Sequence, residues 1–260
     1  MKIAIFQADA FTNQLFKGNP AAVCPLDEWL TDGMLQNIAS ENNLSETAFF
    51  VKEKEGFHIR WFTPATEVSL CGHATLAAAA VIFRKLGYKA EILNFKSRSG
   101  NLKVVRDADN FVLDFPSDPP EKMEKNPEIL SALGIEPAEW WMGKEDYLLV
   151  YQNEGEILSL VPDYEKLKKL TTRGIIVSAP GTQTDFVSRF FAPAVGINED
   201  PVTGSAHTTL TPYWARRLNK TVLNALQLSS RGGSLKCVNK GERVEISGKV
   251  AFYMQGIIEV

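Results

Sequence analysis

The chain has 260 residues, 28 Lys and Arg against 31 Asp and Glu, a formal net charge of −3 and 45% hydrophobic residues. A chain of this length buries roughly three quarters of the surface its unfolded form exposes, and 15 Phe with 5 Trp supply ample core material, so disorder is excluded. The charge balance lacks the basic footprint that binding to nucleic acid or an anionic membrane requires.

In chain order, the N-terminal run reaches Asp9 too early to be a secretory hydrophobic segment. Residues 48–52 and 57–62 read as a hairpin of β-branched and aromatic residues. A loop holding Pro64 follows, then a helix predicted over 73–86 with Gly87 as its stop. Its 74–83 stretch is apolar nearly all round and must be enclosed on most sides. The uninterrupted apolar run 76–83 falls far short of the ~18 residues of a membrane span. Residues 93–95 and 102–105 flank Ser-Arg-Ser-Gly as a second hairpin, and 111–115 alternates as a further strand. The Pro-Ser-Asp-Pro-Pro run at 116–120 resists both helix and central strand. It divides the chain into halves at 1–116 and 117–260, with the terminal strand left free to cross into the first half. The second half repeats the pattern: strands at 174–178 and 185–191, a helix over 205–218, then strands to the C-terminus.

That repetition is written in the residues themselves. Arg60-Trp61-Phe62-Thr63-Pro64-Ala65 recurs as Arg189-Phe190-Phe191-Ala192-Pro193-Ala194. Residues 67–86 align with 199–218 through Glu67/Glu199, Gly72/Gly204, Ala74/Ala206, Arg84/Arg216 and Leu86/Leu218. Residues 93–103 align with 226–236. Self-similarity in one order and spacing implies two similar folding units. The expected class is α+β: two pseudo-symmetric halves, each a curled, mostly antiparallel sheet around one central helix.

The strongest repeat elements, Glu67-x4-Gly72-His73-Ala74 and Glu199-x4-Gly204-Ser205-Ala206, put glycine and a small residue at a helix start. Unpaired N–H groups and the positive dipole end favour an anion there, typically a carboxylate. Pseudo-symmetry is expected to point both ends at one cleft, although a glycine in such a turn also serves tight backbone geometry alone. Glu46, between a helix end and the apolar strand, would move protons near neutrality if burial raised its pKa; otherwise it is an exposed loop acid. His73 reads as a catalyst or as a capping histidine, Asp200 as a ligand-facing acid or the cap of the Pro201 turn, and Cys71 as a small buried hydrophobe. Three cysteines, at 24, 71 and 237, have no Cys-x-x-Cys spacing, and the three histidines lack metal-ligand spacing. This argues for a reducing compartment and against disulfides and a metal site. Gly-x-Ser-x-Gly, the P-loop and Gly-x-Gly-x-x-Gly are all missing, leaving cofactor-free chemistry.

The residues Phe11-Thr12-x5-Gly18-Asn19-Pro20-Ala21-Ala22-Val23, Asn43-Leu44-Ser45-Glu46-Thr47, Arg60-Trp61-Phe62-Thr63-Pro64, Leu70-Cys71-Gly72-His73-Ala74-Thr75-Leu76-Ala77 and Glu199-Asp200-Pro201-Val202-Thr203-Gly204-Ser205-Ala206-His207 resemble the PhzF-like (phenazine biosynthesis-like) proteins, in that family's order and over essentially the whole chain. The resemblance implies a diaminopimelate-epimerase-like fold, an active site between the halves, and frequent homodimers. The best-understood member isomerises a dihydro-hydroxyanthranilate by shifting a proton without metal or cofactor. By that likeness Glu46 is the acid/base group, and Gly72, His73, Asp200, Gly204 and Ser205 contact substrate. Related epimerases carry a cysteine on each turn; here those places hold Cys71 and Thr203. A threonine hydroxyl is too weak an acid to replace a thiolate, so single-carboxylate chemistry is expected over two-thiol racemisation. The expectation is a cytoplasmic, cofactor-independent isomerase, homodimeric, that shifts a proton on a small carboxylic substrate, amino-acid-like or cyclic. It has no nucleic-acid or membrane partner. An amino-acid epimerase and a non-catalytic small-molecule-binding protein on the same scaffold are the alternatives.

Overall fold

In the computed structural model, described over residues 1–260, two units are distinguished: Met1–Asp114 with Ser247–Val260, and Phe115–Ile246. The first opens with β1 (Lys2–Ala10) and β2 (Asn19–Leu26), which pair antiparallel. Helix α1 (Asp32–Asn42) starts on Thr31, whose Oγ1 accepts the Met34 N–H at 3.3 Å, and ends at Asn43 in the left-handed region with φ 48°. That reversal delivers the chain into β3 (Glu46–Lys52), parallel to β2 with Ala21 opposite Glu46. Then follow β4 (Phe57–Phe62), the two-residue β5 (Glu67–Val68) and α2 (Gly72–Ala80). The meander β6 (Ile92–Ser97), β7 (Gly100–Asp107) and β8 (Asn110–Pro116) completes this stretch.

One face of the sheet is covered by α1: Leu35, Ile38 and Ala39 pack on Ile3, Ile5, Ala22, Cys24, Phe49 and Phe62. The other face meets α2, which lies against β1, β2 and β3. From Ala74 to Phe83 no residue is more than 3% exposed. A helix with no solvent face has no reason to alternate polar and apolar residues, which is why its sequence is apolar all round. The helix predicted over 73–86 is α-helical only to Ala80. Val81–Lys85 form a wider π-helical turn, closed by the Leu86 N–H on the Val81 carbonyl at 3.0 Å. There Phe83 stacks on the Phe111 ring and Arg84 lies 4.9 Å from the same ring.

The second unit contains β9 (Glu121–Lys122), α3 (Pro127–Leu133), β10 (Glu139–Met142), β11 (Asp146–Val150), α4 (Glu154–Ser159) and α5 (Tyr164–Leu167). It continues through β12 (Gly174–Pro180), β13 (Phe186–Phe191), α6 (Ala206–Leu218), β14 (Val222–Gln227), β15 (Gly233–Asn239) and, as far as Ile246, β16 (Arg243–Gly248). Helices α3 to α5 contribute Ile129, Leu133, Ile157 and Leu167 to a core with Trp140, Leu149, Val177 and Phe191. The last strand, β17 (Val250–Glu259), runs antiparallel to β1 from Lys2↔Glu259 to Ala10↔Val250, so the C-terminus belongs to the first unit.

The sequence repeat is a repeat of topology. β1–β2 is antiparallel, β2–β3 parallel, β3–β4 antiparallel, β4–β6 parallel and β6–β7 antiparallel. β10–β11, β11–β12, β12–β13, β13–β14 and β14–β15 follow the same alternation. The duplicated Arg and Glu make matching bidentate ion pairs, the strong form of this contact. Arg60 Nε meets Glu67 Oε1 at 2.8 Å with its guanidinium over Phe62, and Arg189 Nε meets Glu199 Oε1 at 2.7 Å with its guanidinium over Phe191. In α6, Pro212 cannot donate to the Thr208 carbonyl; the Asp118 N–H takes that acceptor instead, at 3.1 Å. No helix is long and apolar enough to cross a membrane.

Candidate active site

The left-handed Asn43 and the parallel β2–β3 pairing set Glu46 at the first position of β3, where its side chain is buried. Its Oε2 lies 3.1 Å from Nε2 of His73, and neither atom has another hydrogen-bond partner. His73 is the second residue of α2, buried, and its other ring nitrogen, Nδ1, faces the Cys71 Sγ at 3.5 Å. Neither Cys71 nor its flanking turn caps α2 with a side-chain bond, so the start of the helix at Gly72 keeps the anion-favouring character read from the sequence.

Burial disfavours charge on all three groups, and their proximity decides the outcome. Burial pushes the Cys71 thiol up to about 11, and the Glu46 carboxylate adds to the rise; the sulfur is an S–H at neutral pH. Burial works against the His73 imidazolium, but Cys71 and Glu46 outweigh it and hold the ring well above its ordinary 6.5. The folded chain thus binds this proton more tightly than the unfolded chain. Its contribution to stability is whole below pH 6.5 and is lost as the pH climbs through the raised folded value. Thermal melts between pH 5 and about 9 should show the gap between the parent chain and His73→Gln widest at the acid end and narrowing toward the alkaline end.

Glu46, Cys71 and His73 also offer donor atoms that all lie within 4.8 Å of one another, of the types found in zinc sites. The imidazole turns one nitrogen to each neighbour and so links them as a hydrogen-bonded chain. A cation held by all three would have to break one of those contacts, so the arrangement fits proton handling better than coordination.

The second unit brings Asp200, Thr203, Gly204 and Ser205 together on the turn before α6. Thr203 Oγ1 donates to Asp200 Oδ2 at 2.6 Å. Buried Gln227 fixes this turn from β14: its Nε2 donates to the Asp200 carbonyl and to Thr203 Oγ1, and its Oε1 accepts the Thr203 N–H at 2.8 Å. Gly204 is buried, and its carbonyl accepts the His207 N–H. His207 itself is fully buried, donates through Nδ1 to the Thr203 carbonyl on the turn before α6, and is held neutral by burial, down to about 4. Ser205 Oγ accepts from Arg173 Nη1 at 2.9 Å, which leaves the hydroxyl proton to donate elsewhere. Arg173 is in turn ion-paired with buried Asp146. Arg173→Ala strands that carboxylate and is expected to cost about 3 kcal/mol in urea unfolding, the low end for a buried pair because the guanidinium is partly exposed.

Sequence reading missed Arg173, Asp146 and Gln227. Gln227 sits at a repeat position opposite Asn94, but its partner is exposed and gave no hint of a role. Arg173 precedes a strand whose counterpart carries Ser45, and no pattern marked it. The strand registers add one further fact. Thr47 pairs with Phe62 and Ile175 with Phe191, so Gly174 takes the place of Glu46 in the second unit. A Cβ there would lie 2.3 Å from the Phe190 ring. The scaffold is duplicated; the carboxylate is not.

Known proteins share this arrangement's frame. A chain from Pseudomonas aeruginosa named an uncharacterized isomerase is 54% identical over 260 residues, covering 100% of both chains. The crystal structure of a PhzF-family phenazine biosynthesis protein from Enterococcus faecalis superposes with a TM-score of 0.98 at 47% identity, again over 100% of each chain. A hydroxyproline epimerase from Agrobacterium vitis shares the fold alone, with a TM-score of 0.61 at 10% identity over 99% of this chain and 92% of that one. The family model described as phenazine biosynthesis-like protein, PhzC-PhzF, matches residues 8–256, and the chain belongs to that family.

Proposed function

We propose that this chain is a cofactor-independent isomerase that moves a proton on a small carboxylic substrate, amino-acid-like or cyclic, with Glu46 as the acid/base group. The observation that carries the reading is the buried Glu46–His73 pair at the start of an uncapped helix, in a scaffold whose second copy has glycine at the equivalent place. Close relatives named as isomerases support the reaction class. Glu46 removes a proton from a carbon activated by conjugation and returns it at another position. His73 donates to the Glu46 carboxylate through Nε2 and keeps one oxygen of the pair directed, so the second oxygen meets the substrate. Asp200, Gly204 and Ser205 serve as substrate-binding residues, Ser205 donating its hydroxyl proton to a substrate oxygen. Water exclusion strengthens each of these contacts.

Two-thiol epimerisation is disfavoured on chemistry. Cys71 remains a thiol at neutral pH, and its repeat partner Thr203 spends its hydroxyl on Asp200. The test is a screen of small carboxylic acids in deuterated water, with solvent deuterium incorporation followed by NMR for the parent chain and Glu46→Gln. Exchange in the parent that vanishes in the variant supports the proposal. Full exchange in Glu46→Gln overturns it, and tight binding without exchange in both chains points to a binding protein.

A further inference from the structure

We propose that Cys71 is a positioning residue for the acid/base pair: its thiol donates to Nδ1 of the neutral His73 ring and so fixes the one remaining imidazole proton on Nε2, facing Glu46. The inference deepens the reading of Glu46 as the acid/base group and rests on it for its catalytic meaning, but the proton placement stands on geometry alone. A neutral imidazole has one donor and one acceptor nitrogen, and its partners choose which is which. The charged and titratable groups facing this ring are Glu46 from β3 and Cys71 from the turn before α2. With the proton on Nδ1, an Nε2 lone pair would confront carboxylate oxygen at 3.1 Å, and the S–H would confront another donor. With the proton on Nε2, both contacts become hydrogen bonds. Burial holds the thiol up to about 11, so it is still a donor when the ring loses its proton on the alkaline side of its ordinary 6.5.

The second unit carries the same device with different atoms. Thr203 occupies the repeat position of Cys71, directly before the glycine of the helix turn, and its hydroxyl donates to Asp200 at 2.6 Å. In each unit, then, the residue before that glycine donates to an acid-handling side chain and sets its direction. Thiol-based chemistry needs a thiolate; orientation needs only the proton that burial preserves.

The experiment uses full-length, ligand-free protein labelled with 15N-histidine, followed by two-bond 1H–15N NMR between pH 5 and about 10. His73 is assigned by its loss in His73→Gln. The parent chain is expected to show the neutral His73 as the Nε2–H tautomer. Cys71→Ala should mix the tautomers and move the His73 titration midpoint by about half a pH unit or more, and Cys71→Ser should restore the Nε2–H form. An Nδ1–H tautomer in the parent overturns the proposal without any Cys71 variant. An unchanged tautomer and midpoint in folded Cys71→Ala overturns it as well. Because no substrate enters, these results are independent of the deuterium-exchange screen: loss of exchange chemistry with the tautomer intact faults the functional reading and leaves the positioning role of Cys71 standing.

Discussion

Glu46→Gln is expected to slow substrate deuterium exchange by about a thousandfold while leaving substrate affinity nearly unchanged. The amide is almost isosteric with the carboxylate. Its oxygen can still accept the Nε2–H of His73, so the buried contact at the end of β3 survives and the fold with it. What disappears is the basic oxygen. A positioned general base contributes roughly 10²–10⁴ in rate, and a thousandfold loss corresponds to about 4 kcal/mol of transition-state stabilisation. No second carboxylate stands in reserve at the equivalent strand position, because that position is Gly174 with the Phe190 ring against it. Glu46→Asp tests the geometry separately: it keeps the base but draws it back by one methylene, which misplaces the proton acceptor and should cost about a hundredfold. The measurement is the initial rate of deuterium incorporation at saturating and at low substrate. A loss of less than about tenfold in Glu46→Gln would remove Glu46 from the reaction.

The asymmetry behind that prediction is built on matched positions. Strand pairing and the Arg–Glu pairs are the same in both units, and the repeat glycines lie at or just before the helix starts. Three corresponding places differ in chemistry: Glu46 against Gly174, His73 against Ser205, and Cys71 against Thr203. The first unit thus holds a carboxylate–imidazole–thiol chain, and the second holds hydroxyl groups and a carboxylate that accepts from one of them.

Much of this is legible in the amino-acid sequence. Wherever local chemistry and the repeat spoke together, the elements lie within a few residues of their expected places: the 57–62 strand, the buried helix after Gly72, and the strand at 174. The Arg60–Glu67 and Arg189–Glu199 pairs were visible as identities, though their bidentate geometry was not. The reading missed β1 and β2, whose short mixed runs carry weak periodicity, gave α1 only as a helix end before Glu46, and missed the whole stretch from β9 to α5, which has no recognised repeat partner. Helices such as α4 and α5 are held by burying Ile157 and Leu167 in a shared core, a tertiary cause with little local signal. The site followed the same rule. Glu46, Gly72 and His73 came from motifs, whereas Gln227 and Arg173 act through contacts between residues far apart in sequence. The π-helical turn after Ala80 likewise escaped notice, because nothing in an unbroken apolar run marks where its hydrogen bonding widens.

Trp214→Ala should be the most damaging single truncation in the second unit, costing about 3–5 kcal/mol. Trp214 is fully buried in α6 and stacks on Phe186 with ring centroids 5.7 Å apart and planes within 3°. It also meets Tyr213 edge-on at 5.3 Å, and its indole Nε1–H donates to Ser178 Oγ at 2.9 Å. Truncation removes the largest side chain of the helix, opens a cavity that the surrounding strands cannot close, and withdraws the donor from a buried hydroxyl. Ser178 still donates to the Val187 carbonyl, so only its acceptor side is left unmet. Trp214→Phe separates the two effects: it retains a ring on Phe186 and loses the N–H and part of the volume, and should cost about 1–2 kcal/mol. At roughly 2–4 °C per kcal/mol for a chain of this size, Trp214→Ala lowers the melting midpoint by about 6–20 °C and Trp214→Phe by about 2–8 °C. Calorimetry of both variants checks the ordering. Equal losses would assign the stabilisation to the indole hydrogen bond and not to the stacked volume.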